Sequence, residues 1–155
     1  MFLIFGENHT KPKEIIRINN YIRKHKPDFV LHELLYSDKV SNRKIAKSRL
    51  DKCNDGYLCD PKLNKDIYKL AFELDIPFIG IDLDENYSNL SLKQQFLLRE
   101  KHMISIINKY KNKGNIIVVI GDSHLRQNKN KILGDPLIYN TFKNEATVIR
   151  SGKIK

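Results

Sequence analysis

Short runs of apolar, often β-branched residues alternate along the chain with longer stretches whose apolar positions recur every three or four residues. A short apolar run bounded by polar residues is typical of a buried strand, and the longer spacing is typical of a helix packed on one face. This alternation predicts an α/β fold with a mostly parallel central sheet of about five strands and helices on both faces. The predicted strands are residues 2–5, 29–31, 78–81, 116–120 and 146–149.

Capping signals mark the starts of the predicted helices. Thr10 and Asp60 precede helical patterns as N-caps, and Ser91 forms the sequence pattern of a capping box with Gln94. Asp135 stands before a proline in the same way and predicts a short helix rather than a strand. The predicted helices cover about residues 11–24, 61–74, 92–112 and 137–142, with a further helix within residues 37–56.

Length and composition fit one globular domain. The 155 residues, 41% of them apolar, predict a single α/β domain over residues 1–155 and exclude a disordered, low-complexity or collagen-like chain. No apolar run approaches the roughly 20 residues of a membrane span, and the first residues lack the basic and apolar regions of a signal peptide. We therefore expect a cytoplasmic protein without a membrane partner.

The formal net charge of +10 comes from 28 Lys and Arg against 18 Asp and Glu. Such a charge favours an anionic partner. Lysine predominates, however, and it lacks the bidentate grip of arginine on bases and phosphates, while AT-rich coding alone can produce the same excess. The sequence also has no helix-turn-helix, zinc-finger or aromatic RNA-binding motif. We therefore expect no nucleic-acid partner and take the charge as a hint that the substrate is anionic.

Polar and ionisable residues follow the ends of four predicted strands. Because the carboxyl ends of parallel strands meet at one edge of a sheet, where α/β proteins bind ligands, these side chains are expected to lie close together. Two of the groups are Gly-x-x-His units, in which the glycine is expected to let the backbone turn sharply. The residues concerned are Glu7, Asn8, His9, Glu33, Asp82, Asp122, Ser123 and His124.

Imidazoles beside carboxylates suit either water activation or metal binding. In the first case His9 is the general base, Glu33 or Glu7 orients its ring, and His124 stabilises developing charge. In the second case the metal ligands are His9, Glu33, His124 and Asp122. Both arrangements stay open at this point.

Four residues are candidates for substrate binding. Arg99 lies near the start of the long predicted helix and would act as an anion clamp if that start faces the strand ends; the alternative is a surface ion pair. Asp82, Asn8 and Ser123 complete this set, because each follows the end of a predicted strand.

The order of these motifs resembles one superfamily, which contains erythromycin esterase, TraB, the Tiki metalloproteases and the haem-binding ChaN proteins. The chain is compact and looks like a minimal member. The matching positions are Gly6-Glu7-Asn8-His9, Glu33, Gly80-Ile81-Asp82, Arg99 with Met103, and Gly121-Asp122-Ser123-His124.

This resemblance implies a hydrolytic or ligand-binding site. Similarity to erythromycin esterase implies metal-free water activation by His9, and similarity to Tiki implies a peptidase holding a divalent metal such as Mn, Co or Zn. Similarity to ChaN implies haem, the less expected cofactor. The leading hypothesis is a hydrolase of an ester or amide bond in a small molecule or peptide. The alternatives are a module that sequesters an anionic ligand, haem or a nucleotide, and a metal-dependent phosphoesterase.

Overall fold

A computed structural model describes residues 1–8, 10–54, 63–83 and 88–153. Within these residues one sheet contains six strands, which are β1 (Phe2–Glu7), β2 (Phe29–His32), β3 (Lys39–Val40), β4 (Phe78–Gly80), β5 (Ile116–Gly121) and β6 (Thr147–Ile149). Their order across the sheet is β3-β4-β2-β5-β1-β6. Every strand pairing is parallel except that of β3 with β4. The predicted α/β fold with a mostly parallel sheet is therefore confirmed.

Strand β3 is the element that the sequence pattern missed. It has two residues, too few to show a period, and it pairs antiparallel with β4 at the edge of the sheet. The helix predicted within residues 37–56 begins after it, at Arg43.

Helices cover both faces of the sheet, as predicted. On one face, three helices pack against Phe5 and Val119 of the sheet, through Ile18, Ala46 and Leu70 respectively. On the other face, two further helices pack against Ile4, Leu31 and Val118 of the same strands. The helices are α1 (Pro12–His25), α2 (Arg43–Asn54), α3 (Leu63–Leu74), α4 (Leu92–Tyr110) and α5 (Leu137–Phe142), with short 3-10 helices at Glu33–Leu35 and Asp122–Leu125.

The capping predictions have mixed outcomes. Ser91 and Gln94 form the predicted capping box at the start of α4. Thr10 does not cap α1, because its amide and hydroxyl both donate to the Asn8 side chain, at 3.0 and 2.7 Å. Helix α5 forms as predicted, but the Asp135 side chain does not cap it. The Leu137 amide at its start donates to the Glu100 side chain, at 3.2 Å. The cap predicted at Asp60 lies outside the described residues.

The register of the central strands brings their carboxyl ends level. Strand β5 is buried along its whole length between β1 and β2, with Gly121 beside Glu7 and Val119 beside His32. His32 is in turn paired with Gly80 of β4. The residues that follow these strands therefore emerge at one edge of the sheet. None of the described helices combines the length and apolar content needed to cross a bilayer.

Gly80 tests this packing, because the backbone after β2 crosses directly over it. A Cβ atom at position 80 would lie 1.8 Å from the Tyr36 carbonyl oxygen and 2.7 Å from that of Leu35. Gly80→Ala is expected to lower the free energy of unfolding by about 1–3 kcal/mol, the usual cost of overpacking. Denaturant unfolding measures this change. Ser105→Ala, on the exposed side of α4, is the control, and equal stability of the two variants would contradict the packing.

Candidate functional site

A cavity of about 490 Å³ opens at the carboxyl edge of the sheet. It lies beside the ends of β1, β2 and β5, and the first half of α4 forms another part of its wall. The residues predicted from separate parts of the sequence are thus brought together here. Those that line the cavity are Glu7, Asn8, Glu33, Arg99, Asp122, Ser123 and His124.

Arg99 joins two carboxylates that follow different strands. Its Nη2 group donates to Glu33 Oε1 at 2.7 Å and also to Asp82 Oδ2, and its Nε group donates to Asp82 Oδ1 at 2.8 Å. The second oxygen of Glu33 accepts a hydrogen bond from the Gly121 amide. Asp82 does not line the cavity, so it reaches the site through Arg99 rather than by direct exposure.

His124 is buried between two carboxylates, with 1% of its surface exposed. Its Nε2 atom lies 3.4 Å from Glu33 Oε1, and its Nδ1 atom lies 3.1 Å from Glu100 Oε1. The ring of Phe96 stacks on the imidazole with centroids 4.7 Å apart. Both nitrogens and one face of the ring are therefore held by named neighbours.

The surroundings of Glu33 and His124 favour their charged forms. Burial alone would raise the pKa of Glu33, but hydrogen bonding and charge attraction from His124, with the Gly121 amide and Arg99, lower it from 4.5 to about 2. Burial alone would lower the pKa of His124, but its bonds to Glu100 and Glu33 outweigh burial and raise it. These surroundings therefore favour an ionised carboxylate of Glu33 beside a protonated His124.

Glu33, which directly follows β2, lines the cavity, whereas His32 at the end of the strand does not. The His32 side chain accepts a hydrogen bond from the Leu34 amide at 3.2 Å and so caps the short helix that begins at Glu33. His32 therefore supports the backbone turn that presents Glu33.

Asp122 has an ion-pair partner that the sequence did not suggest. Arg150 donates to both of its oxygens, at 2.8 and 2.6 Å, and the Ser151 amide donates at 2.7 Å. Burial alone would raise the pKa of Asp122, but its hydrogen bonds with Arg150 and Ser151 outweigh burial and lower the pKa below its usual value. The position of Asp122 also explains why residue 6 is a glycine, since a Cβ atom at position 6 would lie 2.4 Å from Asp122 Oδ1. The expected sharp turn at Gly6 was wrong, because the residue lies within β1.

The remaining predicted residues have varied positions. Glu7 is buried at the end of β1, with 3% of its surface exposed. The Asn8 side chain accepts from Thr10, and the Ser123 carbonyl accepts from Arg126 at 3.0 Å. His9 lies outside the described residues, so its proposed role stays a prediction.

The described members of the predicted metal set do not fit a metal ion as they are arranged. Both nitrogens of His124 face carboxylates, and both oxygens of Asp122 bind Arg150. Within residues 1–8, 10–54, 63–83 and 88–153, no three His, Cys, Asp or Glu side chains are grouped as metal ligands would be. A metal would have to displace these ion pairs first.

Glu100 and Arg126 belong to this site but were not predicted. Glu100 follows Arg99 directly on a helix rich in surface charge, and nothing in the sequence distinguishes a buried Glu from an exposed one there. Arg126 follows His124 by two residues, which was the only available signal. Arg150 and Ser151 gave no signal, because their position depends on β6 pairing with β1.

Comparison with known proteins identifies the fold but no family. No protein-family model matches the chain, and no curated protein matches it in sequence. Two solved structures described as bacterial protein toxins match over 98% and 99% of this chain, with TM-scores of 0.58 and 0.57 and 14% identity. RRSP, a MARTX toxin effector domain from Vibrio vulnificus CMCP6, matches over 83% of this chain with a TM-score of 0.51 and 14% identity.

This chain spans about a third of each of those longer proteins, 34%, 34% and 29% of their lengths. At this identity the likeness shows a shared fold and no shared site chemistry. The resemblance to the erythromycin esterase superfamily is a separate matter, which these structures do not address.

Acid should weaken the fold through Glu33. Because its pKa falls from 4.5 in the unfolded chain to about 2 in the folded protein, its contribution is present above pH 4.5 and is lost as the pH falls toward 2. The loss is expected to be roughly 3 kcal/mol of unfolding free energy. Carbon-detected NMR of the Glu33 carboxyl group measures the midpoint directly. A midpoint at or above 4.5 would contradict the ion-pair geometry.

Proposed function

We propose that this protein is a hydrolase that cleaves an ester or amide bond in a small-molecule or peptide substrate bound in the cavity at the sheet edge. One observation carries the proposal: two cations, the partly buried Arg99 and the buried His124, are held by the same carboxylate of Glu33 beside a cavity lined mainly by polar residues. Charges fixed in this way before the substrate binds are suited to stabilising charge that develops during a reaction.

The cations supply the electrostatic part of the mechanism. Attack of water on a carbonyl carbon places negative charge on the carbonyl oxygen, which Arg99 and the His124 imidazolium would stabilise. Among the described residues, no hydrogen bond uses the Nη1 group of Arg99, so this donor is our candidate for binding that oxygen. A substrate that is itself anionic would be favoured by the same charges and by the net charge of +10.

The base is a separate group in this proposal. Glu33, with a pKa of about 2, is too weak a base to take a proton from water at neutral pH. His9, which follows Glu7 and Asn8 in the sequence, has the suitable chemistry, and we assign to it the proton of the attacking water. Because both oxygens of Glu33 already accept hydrogen bonds, we assign the orientation of His9 to Glu7. The proton then passes from His9 to the leaving group.

The fold is compatible with an enzyme, since it also occurs in a toxin effector domain. Of the two mechanisms implied by the superfamily resemblance, we favour the metal-free one, because His124 and Asp122 are both engaged in ion pairs. The metal-dependent peptidase and phosphoesterase alternatives would require these pairs to open.

Substitution of the two histidines tests the mechanism. A panel of p-nitrophenyl esters and peptide p-nitroanilides gives the rates of the wild-type protein. His9→Ala and His124→Gln are expected to lower the rate about a hundredfold or more, because they remove the base and an oxyanion-stabilising cation. His25→Ala is the matched control, since His25 stacks on Tyr21 at the end of α1 and does not line the cavity. Unchanged rates in correctly folded His9 and His124 variants would refute the assignment.

Chelation distinguishes the two mechanisms. The metal-free proposal expects the rate on the same panel to be unchanged after treatment with EDTA and removal of the chelator. It also expects elemental analysis to find no stoichiometric Mn, Co or Zn. Loss of the activity in EDTA and its recovery with one of these ions would favour the Tiki-like alternative. A ligand retained through purification, without turnover, would favour the binding module.

A further inference from the structure

Glu100 is a fully buried carboxylate on the side of His124 opposite to Glu33, with 0% of its surface exposed. Its Oε1 atom lies 3.1 Å from His124 Nδ1 and accepts a hydrogen bond from Arg126 Nη1. Its Oε2 atom accepts from the Leu137 amide at 3.2 Å. Three donors, two from the segment that follows β5 and one from the start of α5, therefore converge on this one side chain.

Arg126 is itself fixed by backbone carbonyl groups. Besides Glu100, it donates to the carbonyls of Ser123 at 3.0 Å, Leu133 at 3.1 Å and Asp135. Its guanidinium also lies 5.5 Å from the centre of the Phe96 ring. The guanidinium thus compensates the charge of Glu100 from a position that leaves it little freedom.

Stability alone does not account for this arrangement. Apolar side chains of similar volume in place of a buried ion pair are often equally stable or more stable, because burial of charge is costly. What the carboxylate adds is direction: an imidazolium whose Nδ1–H donates to a carboxylate has a fixed ring orientation, so its Nε2–H donor also points in a fixed direction. In this protein Nε2 faces Glu33 at the cavity.

We infer that Glu100 is a positioning residue for His124, and that Arg126 holds Glu100 in place. This inference rests on the proposed function for its catalytic consequence, but the geometry of the His124 ring can be tested without a substrate. Phe96 adds the second constraint, since it covers one face of the imidazole.

NMR of protein with ¹⁵N-labelled histidine is the direct test. In the wild-type protein, the His124 Nδ1 proton is expected far downfield and protected from solvent exchange. In Glu100→Gln this protected resonance is expected to be lost, since glutamine has one acceptor oxygen for three donors. Glu145→Gln is the matched control, because Glu145 pairs with Lys111 at the surface.

Kinetics on the p-nitrophenyl ester and p-nitroanilide panel give the second readout. Glu100→Gln is expected to lower kcat about ten- to hundredfold with little change in KM, the effect of losing a partner that orients a catalytic imidazole. Glu100→Asp keeps the charge and is expected to recover part of kcat. A residue with a purely structural role would lower stability and leave kcat of the folded protein unchanged.

The outcomes separate the two proposals. A folded Glu100→Gln protein with an unchanged His124 resonance overturns the positioning role, and so does a wild-type His124 with no proton on Nδ1. If Glu100→Gln does not fold, Glu100→Asp and Arg126→Lys are compared in the same NMR experiment, where weakened protection supports the inference and unchanged protection overturns it. Absence of turnover by the wild-type protein refutes the proposed hydrolase and leaves the NMR result to decide the positioning role.

Discussion

A row of alternating charges at the carboxyl edge of the sheet is the interaction on which the rest of this site depends. Each internal carboxylate lies between two cations, and each internal cation lies between two carboxylates, while the two end members each pair with one neighbour. Removing an internal member would take one ionic partner from each of its neighbours, and the loss of a partner from a buried ion pair is strongly destabilising. In order, the row is Asp82, Arg99, Glu33, His124, Glu100 and Arg126.

The row forms because α4 lies across the strand ends. Arg99 and Glu100 are consecutive, and consecutive side chains on a helix diverge by about 100°. One of them can therefore bind the carboxylates that follow β2 and β4, while the other binds the histidine that follows β5. The apolar contacts of Met103 and Ile107 in the core fix the helix that presents both. Core packing and site electrostatics thus constrain the same helix.

Sequence patterns predicted the fold and much of the cavity wall. The strands at Phe2–Glu7 and Ile116–Gly121 are continuous apolar runs, and their polar ends indicated where Glu7 and His124 would meet. The partners of these residues could not be predicted, because a buried Glu100 or Arg126 has the same local sequence signature as a solvated one. Which carboxylate oxygen faces which nitrogen of His124 depends on how α4 crosses the sheet. No short sequence pattern predicts that crossing.

The place of β1 in the sheet has a kinetic consequence. This first strand lies between the two strands formed by the last part of the chain: Phe2 pairs with Ile116, and Leu3 pairs with Thr147. No neighbour close in sequence is available to hold it during folding, so its backbone groups are satisfied only when distant segments arrive. Chains dominated by such non-local pairings fold slowly and cooperatively. Glu7 and the other cavity residues therefore come together only once these distant segments have paired with β1.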